Sequence, residues 1–152
     1  MKLTDLGVFD EIFTHIDDVD GHQTSWAVNA LYEYAVKTGQ QYLVPVEKHH
    51  ADYCVENRGV ERERIAQLTA NVEWLKKPIL FVNLPDASLL VDGTHRYVTH
   101  HLLGVPQILA YMVPFEEAKV FIIEDAPQTT EEKLMRHSHL VELRALAQRG
   151  QK

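Results

Sequence analysis

The sequence predicts a single α/β domain in which a small mixed β-sheet is accompanied by helices at both ends of the chain. The chain has 152 residues, the size of one compact domain. Some segments repeat apolar residues at the three-to-four-residue period of a helix, and others form short apolar runs rich in β-branched side chains. Glycine and proline separate the two kinds of segment. Alternation of this kind is typical of an α/β fold.

The first part of the chain is expected to be helical. Apolar residues occur at helical spacing over residues 3–16, and the segment Asp17-Asp18-Val19-Asp20-Gly21 ends this helix. A second helix is predicted from a cap at Thr24 or Ser25 to a stop at Gly39. Both helices are interpreted as packing elements, and the two tryptophans of the chain as core or interface anchors.

The middle of the chain begins with an expected edge strand at residues 42–46, which contain a proline. Residues 47–58 are polar and are interpreted as a connection. A helix is predicted over residues 61–75, because apolar residues recur every three or four positions from Ile65 onward while the first four residues, 61–64, are charged. Pro78 follows its end.

A strand, turn, helix and strand are predicted next. Residues 79–82 and 89–91 are apolar runs separated by a loop that contains Pro85. Residues 94–103 can form a short helix that ends at Gly104, and residues 107–113 form the last strand.

The remaining elements complete the predicted layout. Residues 115–119 suggest a helical turn, and capping-box spacing predicts a final helix over residues 129–148. We therefore expect one domain over residues 1–152, with a helical extension at residues 1–40 and a core at residues 42–123.

Charge and cysteine content limit the classes of protein to consider. The formal net charge of −7 argues against a surface that binds nucleic acid by general attraction. The single cysteine, Cys54, excludes an intrachain disulfide and favours a reducing compartment. Acidic residues interrupt every apolar run of the first segment, so we expect no signal peptide, no membrane association and a cytoplasmic location.

The junction between the strand at residues 89–91 and the following helix carries the most informative motif. Gly93 allows close approach of the backbone, and the N–H groups of Thr94, His95 and Arg96 can point at a phosphate at the helix start. The Arg96 side chain can add a bidentate contact. The alternative is a tight Asp92-Gly93 turn capped by Thr94.

These residues carry a resemblance to a known family. Asp92-Gly93-Thr94-His95-Arg96-Tyr97 resembles the Gly-Gly-Cys-His-Arg-Tyr motif of sulfiredoxins and the Asp-Gly-His-x-Arg motifs of ParB-like proteins. The order of elements over residues 42–123 is also similar to that of the ParB/sulfiredoxin superfamily. The resemblance implies a small mixed sheet of that type, with nucleotide phosphates held at the helix start.

The chain also departs from both families. Thr94 stands where sulfiredoxins have a cysteine, so sulfinic acid reduction is not expected. ParB proteins continue into a helix-turn-helix domain, whereas residues 124–152 are interpreted as one amphipathic helix, which disfavours sequence-specific partition activity.

The free serine kinase group of this superfamily supplies the leading functional hypothesis. By this resemblance Gly93, Thr94, His95 and Arg96 would hold the phosphates, with His95 and Arg96 stabilising developing charge. Asp92 is the candidate ligand for Mg²⁺, or else a turn residue.

The same comparison suggests a base and a further arginine before the core helix. Glu56 is the preferred candidate base, with Asp52 and Glu47 as alternatives in the same polar segment. Arg58 is expected either to reach a phosphate or to pair with Glu61 on the surface.

The sequence therefore favours an ATP-dependent (or CTP-dependent) phosphotransferase or nucleotide hydrolase that acts on a small-molecule or nucleoside hydroxyl with Mg²⁺. One alternative is a DNA-interacting nuclease or nucleotide-gated clamp, for which a basic stripe would be evidence. A second is a nucleotide-binding or partner-binding protein without turnover, and a homodimer is compatible with each. The candidate stripe consists of Arg58, Arg62, Arg64, Lys76 and Lys77.

Overall fold

The computed structural model of the chain describes residues 1–16 and 21–126. Two compact units are present: residues 34–115 form one, and residues 1–33 form the other with the segment that begins at residue 116. The predicted helix at residues 129–148 lies outside the described residues. No helix in the described part of the chain has the length and apolar character needed to cross a bilayer.

The first of the two predicted N-terminal helices is wrong. A 3₁₀ turn at Leu3–Asp5 is followed by strand β1 (Ile12–Ile16), which pairs antiparallel with strand β2 (Gln23–Ala27). The β-branched and aromatic residues of β1 suit a strand, and Phe13 lies opposite the buried Trp26.

The second predicted helix begins later than expected. Its proposed cap lies inside β2, and helix α1 (Val28–Thr38) starts only after that strand ends. Leu31 and Ala35, four residues apart, are fully buried on one face of α1.

The unit formed by residues 34–115 contains the predicted mixed sheet. Its strands are β3 (Gln41–Pro45), β4 (Ile79–Asn83), β5 (Ser88–Asp92) and β6 (Gln107–Pro114). They lie in the order β3-β6-β4-β5. Strands β4 and β6 are parallel, whereas the other two pairs are antiparallel. The α/β class and the four core strands are confirmed.

The prediction of a loop at residues 47–58 is wrong, because most of this segment forms helix α2 (Lys48–Asn57). Only Ala51 and Cys54 are buried, and both are small. The rest of the helix is mostly polar, so its sequence resembles a connection.

The predicted helix at residues 61–75 is divided in two. Helices α3 (Arg62–Ala70) and α4 (Val72–Leu75) meet at Asn71, which has extended backbone angles. The Asn71 side chain accepts a hydrogen bond from the Trp74 N–H at 3.3 Å and caps the second helix.

Helix α5 (Thr94–Leu102) follows β5, and the short helix α6 (Phe115–Ala118) follows β6. A 3₁₀ turn at Lys119–Phe121 comes next, so the predicted helical turn at residues 115–119 is confirmed. The core of the larger unit joins sheet residues to residues of α2 and α5, among them Cys54, Ile79, Phe81, Leu90, Tyr97 and Val98.

Candidate functional site

The start of α5 lies where β5 gives way to a glycine. Gly93 has φ 107° and ψ 22°, and its carbonyl accepts the first helical hydrogen bond, from the Tyr97 N–H at 2.8 Å. A Cβ at this position would collide with the Ile79 side chain and lie 3.0 Å from Arg96 Nη2. Both the left-handed backbone and the close packing therefore require glycine.

The N-terminus of α5 has no side-chain cap from its N-cap residue. Gly93 occupies the N-cap position, so the alternative with Thr94 as the cap is wrong. Among the described residues no side chain caps this end of the helix. The N–H groups of Thr94, His95 and Arg96 precede the first helical hydrogen bond and can bind an anion.

Arg58 brings a positive charge to this helix start. It directly follows α2, and its Nη1 donates to the Leu90 carbonyl and, at 3.4 Å, to Thr94 Oγ1. Burial lowers the pKa of Arg58 from its usual value. We call the N–H groups of Thr94, His95 and Arg96, together with the Arg58 guanidinium, the anion cradle.

The residue before α3, Glu61, fixes the tautomer of the neutral His95 ring. Its Nε2 accepts a hydrogen bond from the Glu61 N–H at 3.2 Å, so the proton of the neutral ring is on Nδ1. Burial lowers the pKa of His95, the Glu61 carboxylate opposes that effect, and the Arg64 charge adds to it. In this arrangement His95 can donate from Nδ1 but cannot take up a proton at Nε2.

Arg96 faces the protein in this structure. It is 9 % exposed, and its Nη2 donates to Asp92 Oδ2 at 3.3 Å and to the Pro78 carbonyl at 3.4 Å. The guanidinium also packs against Gly93. The first bond ties α5 to the end of β5, and the second ties it to the residue before β4. The expected bidentate contact of Arg96 with phosphate stays a prediction. Arg96 Nε has no hydrogen-bond partner among the described residues.

Asp92 is held by this ion pair and does not belong to a cluster of metal ligands. Across residues 1–16 and 21–126, no three His, Cys, Asp or Glu side chains come together in a way that could hold a metal ion. The described side chains therefore do not form a Mg²⁺ site by themselves, although Mg²⁺ in phosphate-transfer sites often needs one or two carboxylates besides substrate phosphates.

Tyr97 positions the beginning of α2 beside α5. Its hydroxyl accepts a hydrogen bond from the Glu47 N–H at 2.8 Å and contacts the Pro45 carbonyl at 3.3 Å. The ring lies 4.7 Å from that of His50, and burial lowers the pKa of His50. Tyr97 is thus part of the packed core, as the sequence indicated.

The two preferred candidate bases lie on α2 in different surroundings. Asp52 Oδ2 pairs with Lys48 Nζ at 2.7 Å, and this bond lowers the pKa of Asp52. The charge of His101 also acts on Asp52, which indicates the C-terminal end of α5. Glu56 is exposed. Within the described residues, no hydrogen bond joins either carboxylate to the cradle.

The proposed basic stripe is not continuous. Arg58 lies inside, at the cradle, whereas the other four basic residues are exposed. Glu61 and Glu63 alternate with the basic residues of α3, and Glu73 pairs with Lys76 at 3.7 Å. The surface at α3 and α4 therefore carries charges of both signs.

The sequence did not indicate the contacts that Glu61, Arg64 and Trp74 make. The Glu61 N–H sets the His95 tautomer, and Arg64 lies over the ring of Trp74, with 5.9 Å from its Cζ to the ring centroid. Trp26 is buried as expected, but Trp74 is 52 % exposed. The apolar residues between positions 61 and 74 recur at helical spacing. This pattern did not indicate the break at Asn71, which positions the Trp74 ring.

No protein-family model matches the chain, and neither curated proteins nor solved structures give a match. The resemblance to the ParB/sulfiredoxin superfamily stays a prediction based on residues 92–97 and the order of elements.

Proposed function

We propose that the chain is a cytoplasmic nucleotide-binding enzyme of the ParB/sulfiredoxin type. It binds ATP, or CTP in its place, through the phosphates and transfers the terminal phosphoryl group to a small-molecule hydroxyl or to water. The observation that carries this proposal is the uncapped N-terminus of α5 with the Arg58 guanidinium at Thr94. Backbone N–H groups and a guanidinium are the donors that phosphate oxygens accept most readily.

Each cradle group has a separate role in this proposal. The N–H groups of Thr94 and His95 bind phosphate oxygens, and Gly93 lets the backbone turn into α5 with φ 107°. Arg58 neutralises charge on the phosphates. His95 adds a donor at Nδ1, because its Nε2 is held by Glu61. Donors fixed before the reaction stabilise the charge that develops during phosphoryl transfer.

The transfer itself makes one bond and breaks one. The acceptor oxygen bonds to the terminal phosphorus, while the bond from that phosphorus to the bridging oxygen breaks and the nucleoside diphosphate leaves. The acceptor's proton passes to a carboxylate. Glu56 is the proposed base, because Asp52 is already paired with Lys48. Mg²⁺ would enter as part of the substrate, held by phosphate oxygens.

The direct test is calorimetric titration with ATP and CTP, each with Mg²⁺, followed by an assay of nucleoside diphosphate formation, which detects both transfer and hydrolysis. We expect Arg58→Met to weaken binding at least tenfold, the loss of about 1.4 kcal/mol that a charged hydrogen bond to phosphate provides. Arg62→Met removes an exposed arginine on α3 and is the matched control. Equal affinity in wild type and Arg58→Met, with the fold intact, would contradict the phosphate site.

A pair of carboxylate variants tests the base. Glu56→Gln should reduce the rate of nucleoside diphosphate formation while ATP affinity is retained, whereas Asp52→Asn should leave that rate unchanged. Equal turnover in wild type and Glu56→Gln removes Glu56 from the mechanism. Binding without formation of nucleoside diphosphate in the wild type, with water and with every hydroxyl acceptor tried, favours the non-catalytic alternative.

A further inference from the structure

An exposed tryptophan, Trp74, contacts Arg64, which lies three residues after the Glu61 that binds His95. Trp74 is 52 % exposed, although large aromatic side chains are usually well buried. It belongs to α4, a helix of one turn, and Leu75 directly after it is 7 % exposed. The ring is therefore presented to solvent from an anchored piece of backbone.

Two hydrogen bonds and one contact between a guanidinium and the ring fix the position of Trp74. Asn71 Oδ1 accepts from the Trp74 N–H at 3.3 Å, and His100 Nε2 lies 3.1 Å from the Leu75 carbonyl. The second bond ties α4 to the last turn of α5, the helix whose first turn carries the cradle. Arg64 lies over the indole, with 5.9 Å from Cζ to the ring centroid, a distance at which guanidinium and ring attract each other.

Arg64 also connects this ring to the cradle. Its charge lowers the pKa of His95, so it lies within electrostatic range of that residue. The Glu61 N–H binds His95 directly, and Arg64 is three residues later, about 4.5 Å along a helix axis. His95 and Trp74 are therefore connected through residues 61–64 and the contact of Arg64 with the indole ring.

We infer that Trp74 and Arg64 bind the base of the nucleotide whose phosphates occupy the anion cradle. A flat, half-exposed indole with a guanidinium beside it suits a nucleobase, because aromatic rings and guanidinium planes both stack on bases. This inference rests on the proposed function. It adds the residues that recognise the base, which would distinguish a nucleoside triphosphate from an inorganic polyphosphate. Stacking is tolerant of base identity, so the site does not by itself select one base.

The test compares ATP with tripolyphosphate, which has the phosphates but no base, each titrated with Mg²⁺. Wild type should bind ATP more tightly than tripolyphosphate. Trp74→Ala should weaken ATP binding about fivefold to a hundredfold, the range found when one base loses an aromatic partner. The same variant should bind tripolyphosphate as wild type does. Trp74→Phe should retain most of the ATP affinity.

Val72→Ala is the matched control, because Val72 is 56 % exposed on the same turn. Thermal unfolding of each variant checks that the fold is kept. Tryptophan fluorescence gives a second readout: ATP should change the emission of wild type but not of Trp74→Phe, whose remaining tryptophan, Trp26, is 1 % exposed.

The outcomes separate the two proposals. If neither ATP nor tripolyphosphate binds, the proposed function fails and the base site fails with it. If both bind with equal affinity and Trp74→Ala changes neither, the cradle stands and the base site is overturned. A selective loss of ATP affinity in Trp74→Ala supports the inference.

Discussion

Gly93 offers the sharpest test of how the cradle is built. In Gly93→Ala the new Cβ would meet the Ile79 side chain, and the backbone would keep φ 107°. A left-handed conformation costs an L-residue about 1–2 kcal/mol, and overpacking a core costs about 1–3 kcal/mol. The free energy of unfolding should therefore fall by about 2–5 kcal/mol. In a urea titration the midpoint should fall by about 1–2.5 M.

Gly104→Ala separates the backbone effect from the steric one. Gly104 has φ 73°, and a Cβ there would meet nothing within 4 Å. This variant should lose only the backbone contribution, about 1–2 kcal/mol. Ile79→Leu removes Cγ2, so the alanine at position 93 should cost less in that background. Equal losses in Gly93→Ala and Gly104→Ala would refute the argument that Gly93 is required by close packing.

Three further predictions use the same unfolding assay. Arg96→Met should lower stability by about 3 kcal/mol, because it leaves the partly buried Asp92 carboxylate without its ion pair; full stability with lost ATP binding would instead place Arg96 on the phosphate. Tyr97→Phe should cost about 1–3 kcal/mol through the loss of the bond to the Glu47 N–H, and a loss below about 0.5 kcal/mol would contradict that role. Burial lowers the pKa of His50, His95 and His100 in the folded chain. The unfolded chain therefore binds protons more readily, and lowering the pH through about 6.5 should reduce the free energy of unfolding. A free energy of unfolding that stays constant between about pH 7.5 and 5 would contradict these lowered pKa values.

The strands of the core could be predicted because their apolar runs are bounded by glycine and proline. Residues 79–82, for example, lie between Pro78 and a polar turn and form most of β4. The start of α5 was also predictable from Gly93 alone, since a left-handed residue often separates a strand from a helix. These signals are local, and a single sequence contains them.

One error arises because the spacing of apolar residues in a short segment can fit both a helix and a strand. Residues 3–16 have apolar side chains at helical spacing, yet the pairing of β1 with β2 determines the structure of their second half. Helix α2 was missed for the opposite reason, because Ala51 and Cys54 are its only buried residues and carry little apolar signal.

The candidate site was predicted in its backbone and only partly in its side chains. Gly93 and the N–H groups after it follow from the strand-to-helix junction. The direction of the Arg96 side chain depends on Asp92 and the Pro78 carbonyl, which the fold brings together. The contact of Arg64 with Trp74 depends on the break between α3 and α4, which no period in the sequence indicates.

The central claim is that phosphate binds at the N-terminus of α5. The most direct measurement is a ¹⁵N amide NMR titration of the full chain with ATP and Mg²⁺. We expect the largest shifts at the amides of Thr94, His95 and Arg96, and we expect Arg58→Met to reduce them at the same sub-saturating ATP concentration. Saturable binding with these three amides unshifted would contradict it, as would the absence of any shift at millimolar ATP.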